Sequence, residues 1–169
     1  IEQHTWGQVN PFGLTFDPLG NLYSADCHSK PIYMLLRGAY YPSFGKPHDG
    51  IGFGPDMITH THFSTGICGI VYYAADHFPR DYHNTIFICN PVTGRINHDK
   101  LAVHGSTYKA VEQNDLVRCD DPWFRPVDIK LAPDGSMYIA DFYNCLIGHY
   151  EVPLNHPRRD REKLSLIHI

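Results

Sequence analysis

Two histidines one residue apart, His60 and His62, stand in the run HTHFSTG. Histidine is the side chain best suited to take a proton from a hydroxyl near neutral pH. Other residues able to do chemistry are scattered along the chain: Asn10, Asp26, His28, Ser29, Asn90, Arg95, Arg125, Asp128, Asp141 and Asn144. Carboxylate, carboxamide and backbone oxygens suit a hard cation such as calcium. An arginine fork pairs with a carboxylate through two parallel hydrogen bonds. Taken singly, such residues at the ends of apolar strands cap those strands or face water. Their meaning depends on whether the chain gathers them.

The elements that would gather them are visible as a repeat. PFGLTFDPLGNLYSAD, from Pro11 to Asp26, aligns without gaps to PVDIKLAPDGSMYIAD, from Pro126 to Asp141. Both read as an apolar strand, a tight Pro- and Gly-containing turn, and a second apolar strand. A looser third copy lies between them, with GICGIVYYA (Gly66 to Ala74) and NTIFICNP (Asn84 to Pro91) as its strands. Copies spaced by roughly 55–60 residues fit the blades of a β-propeller with insertions. A hairpin of this kind buries both faces only when neighbours stack on it. The expectation is an all-β fold, a partial six-bladed β-propeller of about three blades. A β-sandwich with a chance repeat is the alternative.

In such a blade the first strand lines the channel and the second runs back beside it. The turns at Asp17–Asn21 and Pro133–Ser136 then lie at one end. The residues leading in (Asn10, His60 with His62, Arg125) and leading out (Asp26 with His28, Asn90, Asp141 with Asn144) share the other end, a common mouth suited to a ligand.

Composition limits the rest. Hydrophobic residues make up 43% and charged residues 19%, a globular balance. The formal charge is −4 with no basic stripe, which argues against a nucleic-acid partner. No apolar run is long enough to span a bilayer. The five cysteines form no CxxC or CxxCH, so this piece carries neither a zinc ribbon nor a c-type haem attachment site. Cys68 and Cys89 fall in neighbouring strands and either bridge or stay as buried thiols. The chain opens at Ile1, and its last six residues, LSLIHI, read as a translated sequencing adapter. The expected organisation is a propeller fragment over residues 1–163, truncated at both ends, with a scar at 164–169. The charged segment from Glu151 to Lys163 reads as a blade edge and linker.

VNPFGLTFDPLGNLYSAD and RPVDIKLAPDGSMYIADFYN together resemble blades of the quinoprotein glucose and sorbosone dehydrogenases. HTHFSTGICG, FICNPVTGRIN and WFRPVDI are similar to a subgroup of large dehydrogenase-like proteins of planctomycetes and verrucomicrobia. Those proteins join such a propeller to HEAT repeats and a cytochrome c domain. The resemblance implies oxidation of a sugar or other alcohol with PQQ and calcium, electrons passing to a cytochrome c, and a place outside the cytoplasm. It implies a cofactor-contacting role for Asn10, Arg125 and Asp128, and a calcium loop at Asp26–Ser29, with Asp26, His28 and Ser29 as candidate metal residues. Val9 and Val127 stand where the family carries arginines, and Val92 near its lysine; Arg95 is the candidate replacement. The family's catalytic histidine belongs to an earlier blade, leaving His60 and His62 as candidates for the base or for the substrate pocket.

Two other readings use the same residues. A calcium-dependent lactonase-type hydrolase would ring a metal with Asp26, Asn90, Asp141 and Asn144. A non-catalytic propeller would bind carbohydrate or protein through Trp6, Trp123 and Phe124.

Overall fold

The computed structural model describes residues 1–46, 52–64, 66–147, 153 and 155–158. The expected scar at 164–169, and most of the expected linker from Glu151, lie outside the described residues.

Among the described residues, ten strands form three antiparallel sheets, and the only helical piece is the 3-10 turn Arg80–Tyr82. No described helix is long and apolar enough to cross a membrane. The first sheet orders β1 (Pro11–Phe16), β2 (Leu22–Asp26) and β3 (Ile32–Leu35) side by side. The middle sheet runs β4 (Ile70–Tyr72), β5 (Thr85–Asn90), β6 (Arg95–His104) and β7 (Thr107–Glu112), with the short β8 (Val117–Arg118) paired to the start of β6. The last is the hairpin of β9 (Pro126–Leu131) and β10 (Met137–Asp141). The two gapless copies are therefore hairpins with matching bounds. The middle copy keeps both its strands, although its first is shorter than expected.

The turn of the first copy shows why these residues reverse the chain. Asp17 accepts hydrogen bonds from the amides of Leu19 and Asn21, the Asn21 side chain and the Tyr23 hydroxyl. Burial opposes its charge, but these donors outweigh burial and hold the carboxyl below its ordinary value.

The sheets stack face to face, as paired strands with two apolar faces require. One core cluster joins Tyr23, Ala25 and Ile32 of the first sheet to Ile70, Ile86 and Ile88 of the middle one. A second joins Val71, Phe87, Cys89 and Ile96 to Ile129 of the last. All six residues of β5 are buried, because its alternate side chains serve both clusters.

The first strands of the sheets also meet edge on, β1 beside β4 and β4 beside β9. This approach depends on glycine. A Cβ on Gly13 would stand 2.9 Å from the Ile70 nitrogen, and one on Gly69 would stand 2.6 Å from Asp128 Cα. Gly13, Gly69 and Asp128 occupy the same position in the three copies. In the first two, the missing side chain admits the next sheet.

Candidate functional site

The side chain closing each second strand fastens the segment leading into its sheet. Asp26, 1% exposed, accepts the amides of Val9 at 2.8 Å, Asn10 at 3.0 Å and His28 at 3.2 Å. Asp141 accepts the amides of Arg125 at 2.7 Å and Tyr143 at 2.9 Å. In the middle sheet Asn90 donates to the His62 carbonyl at 3.1 Å and accepts the Thr93 amide. Three copies thus use one polar side chain to close a lead-in onto a lead-out.

These clasps connect from sheet to sheet. The Cys27 thiol lies against the Ile67 backbone. Arg125 reaches from the last sheet to the middle one: its Nη1 donates to the carbonyls of Pro91 and Val92, its Nε to Asn144 and its Nη2 to Cys145. Asn10 and Arg125 therefore occupy equivalent places on one continuous rim.

The rim residues differ in what they leave available. The Asn10 side chain is exposed. The Asp26 carboxylate is committed to backbone amides, so a cation at Asp26–Ser29 would rely on backbone carbonyls. Ser29 Oγ shares a hydrogen bond with the Tyr33 hydroxyl, and the His28 ring lies near Phe44. The guanidinium of Arg125 is largely spent on four carbonyls. Asp128 Oδ1 takes the Ile129 amide and the Lys130 ammonium. Arg95 pairs with Asp115 at 3.0 Å and lies over the Phe63 ring.

The proposed ring of Asp26, Asn90, Asp141 and Asn144 is likewise occupied locally, since Asn144 accepts the Leu146 amide. Trp6 stacks on Tyr40 and Trp123 tilts on Tyr143, so both indoles already have aromatic neighbours. All five cysteines are free. Burial pushes the Cys68 thiol up to about 11 and the Cys89 thiol up to about 12, which leaves both unreactive near neutral pH.

The tightest polar cluster lies off the rim. His62 and Phe63 both adopt left-handed backbone, with φ of 52° and 61°. For residues other than glycine this is uncommon. The turn drives the His62 ring inward, where the residue is 2% exposed, and leaves Phe63 outside. There His62 Nε2 lies 2.6 Å from Asp99 Oδ2, and His60 Nε2 lies 2.8 Å from Asp99 Oδ1. The two Nε2 atoms are 3.2 Å apart. On its far side, His62 Nδ1 is 3.3 Å from Glu112 Oε1 but lacks hydrogen-bond alignment.

For Asp99, burial opposes the charge, yet hydrogen bonds from His60 and His62 hold the carboxyl below its ordinary value. For His60, burial disfavours the cation, but the Asp99 hydrogen bond and charge prevail and raise its pKa. Asp99 belongs to β6, two strands out from β4, so the imidazoles turn into the wall between sheets. Beside them Arg95, Glu112, Gln113, Asn114 and Asp115 line an open polar cleft of about 470 Å³. Asp99, Glu112 and Asp115 were not singled out from the sequence. The available signal was the period-two run Arg95, Asn97, Asp99 on one face of a strand.

Among solved structures the chain is similar to a glucose dehydrogenase, at 21% identity and TM-score 0.62 over 83% of this chain and 39% of that one. It is similar to the soluble aldose sugar dehydrogenase of Escherichia coli in its apo form, at 19% identity and TM-score 0.63 over 83% and 44%. A third likeness is to the PQQ-bound aldose sugar dehydrogenase of Streptomyces coelicolor, at 15% identity and TM-score 0.60 over 84% and 40%. These likenesses establish the fold, a partial β-propeller. The chain spans less than half the length of each of these structures. No curated protein matches the sequence. Residues 52–167 match the family described as Domain of unknown function (DUF7133), and the chain belongs to that family.

Proposed function

We propose that the whole protein is an oxidoreductase that oxidises a sugar or other alcohol, with this chain contributing part of the rim around the reaction site. One observation carries the reading. Asn10 and Arg125 lie at equivalent, clasped positions at the entries to the first and last sheets of a propeller whose solved counterparts are sugar dehydrogenases. Localisation outside the cytoplasm and a cytochrome c acceptor belong to the same proposal and rest on resemblance.

PQQ and calcium are part of it, but the described residues do not by themselves fit the cofactor. PQQ carries three carboxylates. Arg125 has at most one N–H left after its four carbonyls, Arg95 is paired with Asp115, and Asp128 bears the cofactor's own sign. Val9 and Val127 supply no charge. Cations to balance PQQ would therefore have to come from other parts of the whole protein. Calcium at Asp26–Ser29 would take backbone carbonyls as ligands, a reading that rests on resemblance.

The test uses the full-length protein loaded with PQQ and calcium. The reading predicts dye reduction driven by a sugar or alcohol, together with one bound quinone per protein. Failure to bind PQQ would end it. The hydrolase reading is less favoured because Asp26, Asn90, Asp141 and Asn144 each turn at least one side-chain oxygen to a local backbone amide.

A further inference from the structure

We propose that His60, His62 and Asp99 form a site for a divalent transition metal of the zinc type, with Glu112 orienting the His62 ring from behind. The three residues offer ligand atoms that all lie within 4.8 Å of one another. The Nε2 atoms stand 3.2 Å apart, near the separation of about 3.3 Å that bonds of ~2.0–2.1 Å to one tetrahedral metal would require. Each sits closer than that, at 2.8 and 2.6 Å, to a different Asp99 oxygen, so the carboxylate would draw back to admit an ion.

Proton accounting favours a metal over a purely hydrogen-bonded cluster. An ionised carboxylate only accepts, so both Nε2 atoms must present a proton to Asp99. Two N–H groups then meet at 3.2 Å with neither accepting the other. If His62 is neutral, its Nδ1 lone pair faces the Glu112 carboxylate, lone pair against negative charge, and Nδ1 is indeed buried without a hydrogen bond. A metal at the convergence point replaces both Nε2 protons and lets Nδ1–H donate to Glu112. A carboxylate behind a ligating imidazole is the usual arrangement in such sites. Two nitrogen donors and one oxygen suit zinc or a neighbouring transition metal and do not suit calcium. Glu112 also lines the adjacent open polar cleft, from which solvent would supply a fourth ligand.

The location suggests what the ion would do. His60 and His62 come from the segment between the first two sheets, and Asp99 from β6 of the second. A bound metal would fasten that segment to the middle sheet. None of this requires Asn10, Arg125 or a quinone, so the site and the redox proposal stand or fall separately.

The test titrates the chelator-treated 169-residue chain with Zn²⁺ and Co²⁺, with β-sheet circular dichroism confirming the fold. One equivalent should bind and raise the thermal midpoint. The Co²⁺ spectrum should show nitrogen and oxygen donors and no thiolate charge-transfer band. His60→Ala should abolish binding. Glu112→Gln, at an exposed carboxylate that does not ligate, should weaken it by roughly 10-fold or more while leaving the fold intact. Absence of a one-equivalent site, a thiolate band, or unchanged binding in either variant would overturn the proposal. If His60→Ala does not fold, Glu112→Gln alone decides.

Discussion

The carboxylate of Asp26 receives the backbone amide of Asn10 at 3.0 Å, closing the two ends of the first hairpin on each other. Both of its oxygens are used, Oδ2 by Val9 and Oδ1 by Asn10 and His28. At the equivalent place Asp141 serves Arg125 and Tyr143 through Oδ1 alone, and it is exposed. Asp26→Asn would turn an amide group toward a backbone N–H and should cost about 1–3 kcal/mol. Asp141→Asn can keep its single oxygen in place and should cost less. Denaturant melts of the two variants check the order, and equal losses would contradict it.

Arg125 ties the last sheet to the middle one through backbone carbonyls. Its fixed fork reaches carbonyls on both sides, whereas lysine presents a single ammonium. Arg125→Lys should therefore lose most of the tie and destabilise the chain by about 2 kcal/mol, read by chemical denaturation. A loss below a few tenths would mean that the guanidinium is free for a ligand.

Gly69→Ala places a Cβ 2.4 Å from Asp128 Oδ1 and 2.6 Å from Asp128 Cα. The side chain can swing away, but the backbone atom cannot. The inner strands must part, at a cost of roughly 1–3 kcal/mol. The double change Gly69→Ala with Asp128→Ala should recover little of that loss, and full recovery would place the conflict in the side chain.

The cluster also predicts a pH dependence in the metal-free chain. His60 has a raised pKa, so its contribution is complete below its ordinary value of 6.5 and is lost as pH climbs through the folded value. Asp99 has a lowered pKa, so its contribution is complete above 3.8 and is lost as pH falls through the folded value. The stability gap between the parent and His60→Gln, measured in EDTA, should thus be widest between these values and shrink above pH 6.5. His98 runs the other way: burial lowers its pKa, so its contribution fades as pH falls below 6.5 toward its folded value. A gap that stayed constant through pH 8 would exclude the His60–Asp99 coupling.

The repeat was readable because it is written in local chemistry. Asp17, Gly20 and Gly135 mark turns through short-range bonds and positive φ, and the apolar runs beside them have strand length. The stacked order followed, because hairpins with two apolar faces need neighbours. The strands β3, β6 and β7 were not singled out. In β6 the run RINHDKL is mostly polar and reads as surface, yet Ile96, Asn97, His98 and Asp99 are all buried.

Sequence alone determined the hairpins, the blade-like series and the side chains capable of chemistry, since each depends on residues near one another in the chain. Only the tertiary structure decided their partners. Asp99 stands 37 residues from His62, and Arg125 stands 33 from Val92. Those meetings depend on strand register and sheet stacking, which are set by many weak packing contacts summed across the whole molecule. The same stacking brought the two histidines onto Asp99 and buried His62.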